Sequence, residues 1–277
     1  MRTLSMPGGR SIAVLGQGTW NMGEDPLEKN READALRLGL DLGLGLIDTA
    51  EMYGDGGAEQ VVASALAGRR DEAYIVSKVY PHNAGRRAVE QACERSLRRL
   101  QTDRIDLYLL HWRGDVPLAE TFEGFAALQA AGKIVDYGVS NFDRDDLQEA
   151  FACPGGAALA VNQVLYNLAR RGVEWDVLPW CRQHGMPLMA YSPLEQGDML
   201  GVATLRAVAS LRGASAAQVA LAWLLRQPGV VAIPKAVSAR HVRDNAAALQ
   251  LQLEPDDLAA LDAAFAPPRR ATPLAMR

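Results

Sequence analysis

Eight short apolar runs recur along this chain of 277 residues, and nearly every one ends in a residue able to do chemistry: Asp48, Lys78, His111, Ser140, Gln163, Tyr191 and Lys235. Stretches with helical spacing lie between them. Strand and helix in repeated alternation close into a parallel (β/α)8 barrel, whose strands all open at their carboxyl ends on one mouth. Residues far apart in sequence then meet around one substrate. The recurrence thus predicts an α/β fold, a (β/α)8 TIM barrel with an N-terminal β-hairpin plug and extra C-terminal helices, forming one domain over residues 1–277.

Leu4 to Met6, a Pro7-Gly8-Gly9 turn and Ser11 to Val14 read as the hairpin that plugs the barrel floor. Barrel strands are expected from Ala13 to Gly18, Leu46 to Asp48, Ala73 to Lys78, Ile105 to His111, Ile134 to Ser140, Ala158 to Gln163, Pro187 to Tyr191 and Val230 to Pro234. Helices are expected from Glu28 to Gly43, Ala58 to Ala67, Arg86 to Leu100, Leu118 to Ala131, Arg144 to Phe151 and Val173 to His184. A Ser215/Gln218 capping box opens the next, which runs to Arg226, and two more cover Ala239 to Leu249 and Pro255 to Phe265. Val89, Ala92, Cys93, Ser96, Leu97 and Leu100 share one helical face, which makes Cys93 core filler rather than a nucleophile. The tail to Arg277 is expected to lie over the barrel surface.

A net charge of -4 and a pI near 5.6 give no basic footprint for nucleic acid. Cys93, Cys153 and Cys181 are widely spaced and form no C-x-x-C pair, a usage that fits a reducing cytoplasm and no metal cluster. No uninterrupted apolar stretch approaches the ~18 residues of a membrane span. The expectation is a cytoplasmic, monomeric protein whose partner is a small molecule.

At the ends of its second, third and fourth barrel strands the chain carries Leu46-Ile47-Asp48-Thr49-Ala50-Glu51-Met52-Tyr53-Gly54, Val76-Ser77-Lys78 and Leu109-Leu110-His111-Trp112. With Leu15-Gly16-Gln17-Gly18-Thr19-Trp20 before them and Pro234-Lys235 and Asp244-Asn245 after, these segments resemble the aldo-keto reductases, NADP-dependent carbonyl reductases built on this barrel. Gly16 to Gly23 and Thr49 to Tyr53 are most similar to bacterial reductases of methylglyoxal and small aldehydes.

Carbonyl reduction needs a hydride for carbon and a proton for oxygen. A phenol with a reference pKa of ~10 is a poor acid near neutrality, so an adjacent cation that stabilises its phenolate is useful. Tyr53 is the expected general acid, with Lys78 lowering its pKa and Asp48 as counter-ion to the buried lysine. His111 is expected to donate a hydrogen bond to the substrate oxygen and orient it. His82 and His184 are expected in loops without a role, and Glu51 has none assigned.

Gly16-Gln17-Gly18 is followed by Thr19-Trp20-Asn21, which fails the dinucleotide fingerprint of an open α/β sheet. A barrel instead offers the loops after its seventh and eighth strands, with a helix amino end, as a phosphate site. The resemblance implies a cofactor site of Gly18, Thr19, Trp20, Asp48, Ser140, Asn141, Gln163, Tyr191, Ser192, Pro193, Leu194, Ile233, Lys235, His241, Asp244 and Asn245. In it Ser140, Asn141 and Gln163 hold the carboxamide, Tyr191 stacks on the ring, and Ser192 to Leu194 line the pyrophosphate. Lys235 pairs with the 2′-phosphate, while Asp244 and Asn245 hold adenine. Ala236 and His241 stand where many relatives have a hydroxyl residue and an arginine, losses that relax the preference against NAD, while the Lys235 cation keeps NADPH favoured with NAD(H) as a weaker alternative.

Trp20, Tyr80, His111 and Trp112 are expected to wall the substrate pocket, and a brief tail after Phe265 implies an open rim for small carbonyls. Two rival readings stand beside this one. A redox-sensing barrel that binds NADPH and turns over slowly shares the sequence pattern, whereas a metal hydrolase does not, because Lys78 would repel an ion near Asp48 and His111.

Overall fold

The computed structural model describes residues 2–277. A hairpin of β1 (Thr3–Ser5) and β2 (Ser11–Ala13) precedes the barrel. Its strands are β3 (Gln17–Gly18), β4 (Leu46–Asp48), β5 (Tyr74–Val79), β6 (Ile105–Leu110), β7 (Ile134–Ser140), β8 (Asn162–Leu165), β9 (Leu188–Tyr191) and β10 (Val230–Ala232), each parallel to its neighbours in chain order. Around it lie α1 (Lys29–Asp41), α2 (Gly57–Ala65), α3 (Arg86–Leu100), α4 (Leu118–Ala130), α5 (Arg144–Ala152), α6 (Val177–Gln183), α7 (Ala203–Leu211), α8 (Ala216–Leu225), α9 (Ala239–Ala247) and α10 (Pro255–Ala264).

The core is layered as a barrel requires. One apolar set inside the strands, including Leu46, Val76, Leu107, Leu109, Val161, Met189 and Val231, is joined by Met6 and Ile12 from the hairpin region, so the plug fills the barrel floor. The larger set lies between strands and helices and holds Cys93, fully buried on the inner face of α3.

β3 and β10 close the barrel through isolated bridges, Leu15 to Ala232 and Gly18 to Lys235, rather than a continuous ladder. Gly16 N–H donates to the Ala232 carbonyl at 2.9 Å, Gly18 N–H to Pro234 at 3.1 Å, and Ala232 N–H to Val14 at 2.9 Å. A Cβ at Gly16 would stand 2.7 Å from the Leu46 carbonyl, and one at Gly18 2.7 Å from that of Ile233, so only glycine allows this approach.

Three expected elements differ notably in extent, and one helix is additional. The first barrel strand is shorter than Ala13 to Gly18 because Ala13 pairs within the hairpin. The sixth begins at Asn162 instead of Ala158, since left-handed Gly155 turns the chain into a 3-10 segment, Gly156–Ala158. The helix expected from Val173 is split, and Asp176 starts α6 afresh by accepting a hydrogen bond from the Val177 N–H at 2.8 Å. α7 has no counterpart among the expected helices; its Leu205, Val208 and Ala209 are buried at helical spacing, but Val202 supplies no side-chain cap to announce it. The Ser215/Gln218 box does open α8.

Among the described residues, no single helix is long and apolar enough to cross a membrane. The segment after α10 carries no regular structure and returns to the mouth, where Arg277 pairs with Glu195 at 3.1 Å and Asp198 at 2.8 Å.

Candidate active site

Three neighbouring strands and one turn supply the central cluster. Asp48 ends β4, Lys78 lies one residue before the end of β5, and His111 follows β6 directly. Tyr53 opens a 3-10 turn, Tyr53–Gly56, made possible by left-handed backbone at Gly54 and Asp55. Lys78 Nζ donates to Asp48 Oδ2 at 2.8 Å, to the Thr49 carbonyl at 2.8 Å and to the Tyr53 hydroxyl oxygen at 3.0 Å. An ammonium has three protons, and all three are engaged.

Tyr53 therefore accepts from Lys78, and among the described residues no acceptor takes its own hydroxyl proton. Burial, with the Asp48 carboxylate adding to it, pushes this phenol well above its ordinary value. The expected net lowering by Lys78 is not met, because burial outweighs the ammonium 3.0 Å away. Lys78 is matched by Asp48, so the nearby field is close to neutral and desolvation decides. Burial likewise drives the Asp48 carboxyl up and the Lys78 ammonium down, each opposed by the partner's charge.

His111 is held down to about 2, first by burial and then by the Lys78 charge, so its imidazole is neutral. Its Nδ1 is buried without a hydrogen-bond partner among the described residues. Around it the rings form an arc: Trp20 stands edge-on to Tyr53 at 5.0 Å, Tyr53 to His111 at 5.8 Å and Tyr80 to Trp112 at 5.7 Å, with His111 tilted on Trp112 at 4.8 Å. The four expected pocket residues are thus brought together. Exposed His82 stacks on Tyr80 at 4.7 Å, and His184 stacks on Trp180 at 3.8 Å, remote from the cluster.

Polar groups beside the arc are partly engaged. Gln163 Nε2 donates to Asp48 Oδ1 at 2.7 Å and contacts Met189 Sδ at 2.9 Å, which leaves its amide oxygen as acceptor. Left-handed Asn141 uses both ends of its amide: Nδ2 donates to the His111 carbonyl at 3.0 Å and Oδ1 accepts from the Tyr191 hydroxyl at 2.9 Å. Asn141 consequently holds His111 and Tyr191 in place. Ser140 Oγ accepts from Asn141 and keeps its own proton, and Thr19 Oγ1 donates to the Asp48 carbonyl at 2.9 Å.

Ser192, Glu195 and Gln196, in the loop after β9, all have left-handed backbone, a strain that clusters where loops are shaped for ligands. Pro193 is buried, and Leu194 packs on the outer core. Gly18, Ile233 and Lys235 meet at the barrel seam. Lys235 is exposed and has no acidic partner among the described residues; α9 starts just beyond it, capped by the Ser238 hydroxyl on the His241 N–H at 3.2 Å. The His241 ring is exposed, Asp244 half-buried and Asn245 buried.

Sequence reasoning missed several supports. Buried Glu195 receives Asn167 Nδ2 at 2.7 Å and Arg170 at 3.0 Å, besides Arg277. The Arg277 N–H also reaches the Tyr191 hydroxyl at 3.3 Å. The Arg277 contacts join segments 82 and 86 residues apart and those of Asn167 and Arg170 span 28 and 25, and neither spacing nor residue type signals them. A cavity of about 400 Å³ between the loops after β7 and β8 and tail residues Thr272 to Ala275 contains none of the four catalytic candidates.

The aldo/keto reductase family model matches residues 14–266. The chain belongs to that family. It is 51% identical to methylglyoxal reductase YeaE of Escherichia coli K12, over 99% of both chains. It is 33% identical to the glyoxal reductase of Bacillus subtilis over 88% of this chain and 87% of that one. Among solved structures, an aldo/keto reductase from Klebsiella pneumoniae in complex with NADP and acetate superposes with a TM-score of 0.97, at 51% identity and 99% coverage of both chains. Asp48, Tyr53, Lys78 and His111 converge at one barrel mouth.

Proposed function

We propose that this chain reduces small aldehydes and α-dicarbonyls, methylglyoxal among them, to alcohols with NADPH. The observation that carries this reading is the hydrogen-bond direction at Tyr53. Lys78 donates to it, so the phenol keeps a proton with no acceptor among the described residues. That is what a general acid needs beside a carbonyl oxygen.

Each side chain then has a task. Tyr53 gives its proton to the substrate oxygen as charge develops there, while Lys78 steadies the resulting phenolate and Asp48 keeps Lys78 charged. Neutral His111 offers a ring N–H to the same oxygen and fixes the face presented. Trp20, Tyr80 and Trp112 exclude water around it.

Bound NADPH supplies the hydride. The Ser140 hydroxyl proton and the Gln163 amide oxygen form a donor and acceptor pair that suits a carboxamide, with Tyr191 held beside them through Asn141. Gly18, Thr19, Trp20 and Ser192 to Leu194 border the path toward Ile233 and Lys235. Lys235 takes the 2′-phosphate, and His241, Asp244 and Asn245 surround adenine. The relative crystallised with NADP supports the choice of cofactor.

The same reading makes the protein a one-domain monomer, since closing β3 onto β10 leaves the barrel no free edge, and its free cysteines fit the reducing cytoplasm. NADPH consumption with methylglyoxal and with a nitrobenzaldehyde, run in parallel with NADH, tests the proposal. Sustained turnover supports it. Tight NADPH binding without turnover of either aldehyde would replace it with the sensor reading.

A further inference from the structure

Glu51 lies between Asp48 and Tyr53 in sequence, yet its carboxylate takes no part in their cluster. Oε1 accepts from the Tyr80 N–H at 2.8 Å and from Asn83 Nδ2 at 3.0 Å. Oε2 faces Arg95 at 3.7 Å, and the Glu51 side chain is only 6% exposed. Its own N–H donates to the Lys78 carbonyl at 3.3 Å. A carboxylate this far out of water is costly unless its oxygens are bonded, and here the bonds run to one loop.

That loop carries one wall of the mouth. Tyr80 follows β5, and Pro81–Asn83 forms the 3-10 turn behind it. The Tyr80 ring meets Trp112 edge-on, and Trp112 lies on His111. Glu51 thus joins the turn bearing Tyr53 to the loop bearing Tyr80, fixing the gap between proton donor and aromatic wall.

We propose that Glu51 is a positioning residue for substrate choice: it holds the Tyr80–Trp112 wall at the distance that lets the mouth clamp planar aromatic aldehydes, whereas a three-carbon dicarbonyl does not need the wall. This deepens the carbonyl-reductase reading and rests on it for the reaction. The wall itself is testable without turnover. A planar aromatic aldehyde that enters beside Trp20 and Trp112 quenches tryptophan fluorescence, so its binding is measurable whether or not it is reduced.

The test compares Glu51→Ala and Glu51→Gln with the parent. Glutamine keeps an oxygen for the Tyr80 and Asn83 donors and gives up only the charge toward Arg95; alanine leaves both donors unmet. Glu51→Ala is expected to weaken nitrobenzaldehyde binding about tenfold and raise its KM in proportion, the scale of an imperfectly shaped pocket. Methylglyoxal kcat/KM is expected to change much less, NADPH affinity to stay put, and Glu51→Gln to restore binding to within about twofold. Adding Tyr80→Ala to Glu51→Ala is expected to cost no more than Tyr80→Ala alone, because both act through one wall.

Should Glu51→Ala fail to fold, Asn83→Ala removes one of the two bonds at a half-buried position and is expected to give a smaller shift in the same direction. Unchanged aldehyde binding in Glu51→Ala, or an equal loss for both substrates, overturns the assignment. A parent that shows this binding pattern but oxidises no NADPH instead sinks the reductase reading and leaves the wall assignment standing.

Discussion

Lys78 Nζ and the Tyr53 hydroxyl oxygen lie 3.0 Å apart, with the ammonium as donor and the phenol as acceptor. The direction follows from proton count, since Nζ also serves Asp48 and the Thr49 carbonyl. The cation thereby waits beside the oxygen that becomes negative when Tyr53 gives up its proton, and no group has to move to reach it. Tyr53→Phe keeps the ring and removes the acid. Its kcat is expected to fall by about 10²–10⁴, with NADPH affinity unchanged by fluorescence titration. A loss of only a few-fold would remove Tyr53 from the mechanism.

Lys78→Met leaves Asp48 buried without its cation, a defect worth about 3–5 kcal/mol. Adding Asp48→Asn removes the stranded charge. Denaturant titration is expected to show most of the stability returning in the double variant while turnover remains low, which separates the structural and catalytic uses of the pair.

His111 is held down to about 2 and is neutral near pH 7, and Tyr53 lies above its ordinary value and stays protonated. A group carries its proton below its pKa and loses it above. Neither therefore changes state between about pH 6 and 9, and kcat for reduction is expected to be flat across that interval. A rate that falls as pH rises through about 6.5 would mean that His111 acts as an imidazolium.

Lys235 stands exposed at the seam with no acidic partner among the described residues, and only NADPH carries a 2′-phosphate for it. Lys235→Ala is expected to weaken NADPH about tenfold and leave NADH unaffected. Equal losses for the two cofactors would place the 2′-phosphate elsewhere.

Arg171, 8% exposed, donates twice to Glu174 at 2.8 Å, to Asp262 at 2.6 Å and to the Phe265 carbonyl at 2.7 Å, over the Trp223 ring. Its acidic partners are more exposed, which tempers the cost of losing it. Arg171→Met is expected to remove about 2–3 kcal/mol and lower Tm by about 4–12 °C without altering NADPH affinity. Differential scanning calorimetry beside a binding titration checks both halves.

Strand ends were legible because a barrel strand stops where an apolar run meets a functional side chain, as at Asp48 and His111. The Ser215/Gln218 box gave α8 its start for the same local reason, a side chain that caps its own backbone. α7 has no such cap, and the helix expected from Val173 is cut by an Asp176 cap that its apolar spacing conceals. The direction of the Tyr53 shift was illegible too: it is set first by how completely the phenol is buried and then by the Asp48 carboxylate beside Lys78, neither of which residue types encode. Glu51 belongs with these, since its partners Tyr80, Asn83 and Arg95 come from another strand end and another helix.

The isolated bridges between Gly18 and Lys235 and between Leu15 and Ala232 make the seam a clasp. An anion gripping Lys235 also draws the last strand onto the first, so loading the dinucleotide is expected to tighten the hoop of the barrel itself. The amide protons of Gly16, Gly18 and Ala232, all bonded across that join, would exchange more slowly once it is fastened and so report occupancy without turnover.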